Sequence, residues 1–103
     1  MIHLTAYEPN APLAPEGKFS LGRTVATPGA LAAVPAEEMK AALFRHHHGD
    51  WGDVNEDDRL ENERSLQQGF RLVSVFHSEA GVKFYIITEH DRFATTVLLP
   101  EEY

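Results

Sequence analysis

From residue 70 onward the apolar residues recur with the two-residue period of strands. FRLVSVFH (70–77), VKFYIIT (82–88) and ATTVLL (94–99) are rich in β-branched and aromatic residues. Ser78-Glu79-Ala80-Gly81 and the run EHDRF (89–93) separate them as turns, and Pro100 ends the third. Within VKFYIIT, Lys83, Tyr85 and Ile87 fall on one face, with Phe84, Ile86 and Thr88 on the other. Three consecutive strands with short connections predict an antiparallel meander.

Upstream the period becomes helical. Pro35 opens a segment with Glu37 and Glu38 in its first turn, where a helix dipole favours negative charge. Met39, Leu43 and His46 or His47 then repeat at helical spacing, and Gly49 suits the position after the helix. Asn55 caps a second helix whose first turn is Glu56, Asp57 and Asp58, and which stops at Gly69. Its apolar content is thin, chiefly Leu60 and Leu66. Phe19–Ala26 reads as a short strand, and Thr27-Pro28-Gly29 as a turn or a helix start. Pro9, Pro12 and Pro15 favour an extended arm over residues 1–18. The expectation is an α+β fold: two main helices on one face of a three- to four-stranded antiparallel sheet, forming a single domain over 19–103.

The 103 residues suit one domain, and 43% apolar content supports a core. Cysteine is absent, which excludes disulfides and thiolate chemistry. No apolar run is long enough to cross a bilayer, and the first residues lack the pattern of a secretory signal, so a cytoplasmic location is expected and no membrane partner. Nine basic residues against sixteen acidic ones give a net charge of −7. Such a chain repels nucleic-acid phosphates and is drawn to basic protein surfaces.

The most unusual segment is Arg45-His46-His47-His48-Gly49-Asp50-Trp51-Gly52-Asp53. Consecutive helical positions lie about 100° apart, so three adjacent histidines cannot converge on one ion. No metal or other cofactor is expected. Instead one histidine packs inward or caps the helix end, and the others are solvated. Trp51, between two glycines, either plugs the interhelical corner or stands out as an anchor for a partner. From Asp50 to Glu63 there are seven acids and one base, Arg59. They form either a solvated helix surface or a strip that occupies a basic groove.

For catalysis, His90, Arg92 and Thr95 beside a sheet offer acid–base groups of the kind small RelE- or barnase-type ribonucleases use. The acidic balance opposes that reading, because such enzymes grip RNA with a basic face. Thr88 with Thr95 reads equally well as a cross-strand pair, and no P-loop or nucleophile elbow occurs.

The stretches LGRTVATPGALAAVP (21–35), GDWGDVNEDDRLENERSL (49–66) and FYIITEHDRFATTVLLPEEY (84–103) resemble a family of small proteins from plasmids, phages and other mobile elements. That family is similar to a group of type II-A anti-CRISPR proteins, inhibitors of Cas9. The likeness covers nearly everything after Lys18, although the histidine triplet departs from it. The resemblance implies a non-catalytic inhibitor that binds Cas9 or its guide complex, whose channels are positively charged. With the acid run, it places the contact at Asp50, Trp51, Asp53, Glu56, Asp57, Asp58 and Glu61. The ribonuclease is the alternative, and the oligomeric state is left open.

Overall fold

A computed structural model describes residues 17–103 and the pair Thr5–Ala6. The arm expected over 1–18 otherwise lies outside the described residues. Five strands, β1 (Thr5–Ala6), β2 (Arg23–Ala26), β3 (Leu72–His77), β4 (Lys83–Thr88) and β5 (Ala94–Leu98), form one sheet in the order β1-β2-β5-β4-β3. Three helices, α1 (Pro28–Ala33), α2 (Ala36–His47) and α3 (Glu56–Gln68), lie between β2 and β3, and a 3-10 turn spans Pro100–Glu102.

The meander forms as the two-residue period requires. Ile86 pairs with Ser74 and Val97, and Thr88 with Leu72 and Thr95. The α+β class is as expected, but the sheet is mixed rather than antiparallel. β2 runs parallel to β5, with Thr24 opposite Thr95 and Ala26 opposite Val97. Parallel neighbours need a long crossover, and the helical stretch provides it.

Ala26, Phe76, Phe84, Ile86 and Val97 form one apolar layer, closed by Ala30 of α1 and by Met39, Ala42 and Leu43 of α2. Thr27 caps α1 by accepting the Ala30 N–H, so the turn-or-helix segment at 27–29 starts a helix. The Glu102 carboxylate reinforces that cap, accepting from the Gly29 N–H at 3.1 Å and the Thr27 hydroxyl.

The two main helices do not share this face. α3 lies along the β3 edge, where the Asn62 amide donates to the Val73 carbonyl at 2.8 Å and accepts the Val73 N–H at 3.0 Å. Two residues further along the same edge, the Val75 N–H bonds the Trp51 carbonyl and the Asp53 N–H bonds the Val75 carbonyl. An open strand edge invites pairing with other chains, and these contacts close this one.

Candidate functional site

The corner between α2 and α3 is organised by one buried histidine. His46 is fully buried among apolar side chains. Its Nδ1 lies 2.6 Å from Ser74 Oγ and its Nε2 2.8 Å from Thr88 Oγ1. Thr88 Oγ1 is in turn 2.7 Å from Thr95 Oγ1, and the Thr95 hydroxyl donates to the Leu21 carbonyl.

Each hydroxyl has a single proton, and this fixes the direction of three of the four bonds. Thr95 spends its proton on Leu21, so Thr88 must donate to Thr95. Thr88 therefore accepts from His46, which carries a proton on Nε2. Burial disfavours the charged ring and pushes the His46 pKa down to about 3, with smaller contributions from His47 and Arg92. The neutral ring then accepts the Ser74 proton at Nδ1.

The triplet thus divides its work. His46 points inward, and His48 donates Nδ1–H to the Phe44 carbonyl at the end of α2. One inward histidine was expected, but two are buried: His47 as well, which packs edge-on against Phe19. Among the described residues no three His, Cys, Asp or Glu side chains gather to hold a metal ion.

Trp51 is the corner plug. It is only 3% exposed, stacks on Phe19 at 6.1 Å, and meets the His46 ring edge-on at 5.7 Å. Its indole N–H donates to Glu63 Oε2 at 2.8 Å. It is therefore withdrawn from the expected contact surface: a ring this well covered cannot anchor a partner without leaving its place. Gly52 allows the close approach. Its φ is 76°, and a Cβ there would lie 2.1 Å from the Val75 carbonyl oxygen.

The acids around this corner are more compensated than their sequence suggests. Asp50 accepts a two-pronged bond from Arg45, at 2.8 and 3.3 Å, which holds its carboxyl below the usual range. Asp53 bonds His77 Nδ1 at 2.8 Å, and Arg59 grips Glu56 through two nitrogens. Glu61 lies 3.5 Å from Arg64. Only Asp57 and Asp58, of the seven expected contact residues, stand exposed without an ion pair among the described residues. These surface pairs are individually weak, but each arginine pair removes a charge from what a partner would meet, whereas the His77 contact orients Asp53.

His90, Arg92 and Thr95 do not form a common site. His90 is exposed, whereas the Thr95 hydroxyl is buried and committed to Leu21. The Arg92 guanidinium is committed to the carbonyls of Ser65, Phe70 and Glu89. Thr88 and Thr95 are the cross-strand pair that their spacing allows.

Sequence reasoning missed the structural roles of three residues. Glu63 receives Trp51, Asn62 closes the β3 edge, and Arg92 ties α3 to the β4–β5 turn. Their partners are 11 to 27 residues away, beyond any local pattern. No helix among the described residues is long and apolar enough to cross a membrane. Compared with known proteins, the chain matches no protein family, no curated protein and no solved structure.

Proposed function

We propose that the chain is a non-catalytic inhibitor that acts by docking the acidic first turn of α3 onto a positively charged protein surface. The observation that carries this reading is the placement of α3. The helix is fixed to the sheet edge by Asn62, buries Asn62 and Ser65, half-buries Glu63 and Leu66, and leaves its other side chains exposed. Its first turn presents Asp57 and Asp58 without ion pairs among the described residues, flanked by Asp53, Glu56 and Glu61. Trp51 acts from beneath, holding the corner rather than touching the partner.

The net charge of −7 favours a basic partner and disfavours nucleic acid. The resemblance to the mobile-element family supplies the partner class: a type II-A Cas9, alone or with its guide RNA, whose nucleic acids lie in basic channels. A cytoplasmic site of action follows from that partner. The committed groups of Arg92 and Thr95 speak against the ribonuclease reading of the β4–β5 turn.

The test is a plasmid-cleavage assay with purified Cas9 and guide RNA, titrated with this protein. Cleavage should fall as the protein is added, and it should recover for Asp57→Lys/Asp58→Lys, provided thermal unfolding shows that the variant folds. Full cleavage at saturating protein would refute the inhibitor. Undiminished inhibition by the folded double variant would move the contact away from α3.

A further inference from the structure

Phe19 is half-buried, yet the three rings it covers, those of His46, His47 and Trp51, are buried. It meets His46 edge-on at 5.2 Å and His47 at 6.0 Å, and it stacks on Trp51 at 6.1 Å. The Arg92 guanidinium lies 5.8 Å from its centre.

Residues 17–20 carry this ring across the corner as a strap held at few points. The Lys18 N–H donates to the His47 carbonyl at 2.9 Å. A Cβ on Gly17 would fall 1.8 Å from His47 Nε2, so the backbone there lies against that imidazole. Lys18 and Ser20 are exposed. Firm anchoring begins at Leu21, which is buried and accepts from the Thr95 hydroxyl at 2.7 Å. Gly22 follows with a left-handed φ of 63°, and a Cβ on it would come within 2.3 Å of the Phe93 carbonyl carbon. The strap therefore has one fixed end on which to pivot.

Beneath it lies a base with no counter-charge. α2 sets His47 beside His46, and the β4–β5 turn supplies Arg92; both disfavour a charged ring. β3 and β4 face it with the hydroxyls of Ser74 and Thr88, and the corner with Trp51, whose N–H already holds Glu63. The strap faces it with Phe19. No carboxylate bonds the His46 ring among the described residues.

The site can hold a second proton but not its charge. In the protonated ring Nε2–H still donates to Thr88, and Ser74 Oγ has lone pairs to accept from Nδ1–H. The deficit is solvation of the charge. Water reaches the ring most readily where Phe19 covers it, because lifting one half-buried ring and one backbone bond costs less than parting α2 from the sheet. We propose that residues 17–20 form an acid-released strap: when His46 takes up a proton, Phe19 lifts off the corner about Leu21 and Gly22 while the sheet and helices stay folded.

The closed form refuses a proton that the open form accepts. With His46 at about 3 under the strap and at an ordinary 6.5 when hydrated, the ratio of open to closed strap should rise about tenfold per pH unit between those values as pH falls. Release of the strap does not rest on the inhibitor reading.

NMR of the full chain from about pH 7 to about pH 3, with far-UV circular dichroism alongside, tests it. Cross-peaks between the Phe19 and Trp51 rings should vanish and the Lys18 amide should shift. Both changes should share the midpoint of the His46 ring signals, at a pH where the dichroism is still native. Folded His46→Gln should keep the cross-peaks to lower pH; where that variant does not fold, the shared midpoint in the wild type decides. Loss of the cross-peaks together with the dichroism overturns the proposal. So do cross-peaks that survive His46 protonation, that vanish while His46 is neutral, that persist at pH 3, or that vanish in folded His46→Gln at the wild-type midpoint.

Discussion

The indole N–H of Trp51 donates to Glu63 Oε2 at 2.8 Å, joining the glycine-flanked corner to the middle of α3. The bond decides how the acidic segment is used. It consumes one of the seven carboxylates between Asp50 and Glu63 structurally, and it sets the position from which the others face solvent. Glu63→Ala should leave the buried N–H without its acceptor and cost about 1–3 kcal/mol in urea unfolding, whereas Glu63→Gln, which keeps an oxygen there, should cost about 1 kcal/mol or less. Equal losses would show that the bond contributes nothing.

His46 gives the fold a defined pH dependence. Its folded pKa is lowered to about 3 from an ordinary 6.5, so between those values the unfolded chain binds a proton that the folded chain refuses. Stability from this group is therefore complete above about pH 6.5 and is lost as pH falls, by up to about 1.4 kcal/mol per pH unit. Denaturant unfolding of the wild type and His46→Gln at pH 7.5, 6.5 and 5.5 isolates the effect, because every other titrating group is common to both proteins. The variant should be less stable at pH 7.5, and the gap should narrow toward pH 5.5. A constant gap would mean that the folded and unfolded chains take up the His46 proton alike, with no lowering by burial.

The β3 edge depends on one side chain that makes two bonds. Asn62→Ala removes both partners of Val73 and should cost about 1–3 kcal/mol. Asn62→Asp keeps the acceptor for the Val73 N–H but sets a carboxylate against the Val73 carbonyl, and should be at least as harmful. Amide exchange at Val73 should accelerate in both variants. Protection equal to the wild type would show that the edge is closed without Asn62.

Gly52 is required by geometry. With φ at 76° and the Val75 carbonyl oxygen 2.1 Å from a would-be Cβ, Gly52→Ala must break the bridge between this segment and β3. The expected loss is about 2 kcal/mol or more, larger than a left-handed conformation alone costs a non-glycine residue. Trp51 fluorescence should shift to the red as its ring becomes wetter.

Much of the fold was legible because its signals are local. Asn55 and Gly69 bracket α3, Pro35 and Gly49 bracket α2, and the two-residue alternation marks β3, β4 and β5. The parallel pairing of β2 with β5 was not legible, since Thr24 and Thr95 meet only after the chain has built three helices and two strands. Nor could the placement of α3 be read. Asn62 looks like any polar residue of a solvated helix until the β3 edge stands opposite it. The site was half legible: the acid run is plain in the sequence, but which acids are spent is not. Arg45 meets Asp50 across the end of a helix, and His77 reaches Asp53 from another strand. Trp51 between two glycines fits an inward or an outward ring equally well until Phe19 and His46 surround it.

The central claim is that the uncompensated acids of the α3 first turn grip a basic protein. Titration calorimetry against the Cas9–guide complex, with the wild type and Asp57→Asn/Asp58→Asn at low and high salt, tests it most directly. The wild type should bind more tightly at low salt, and the double variant should bind more weakly with a shallower salt dependence. Equal affinity and an equal salt slope for both proteins would contradict the claim.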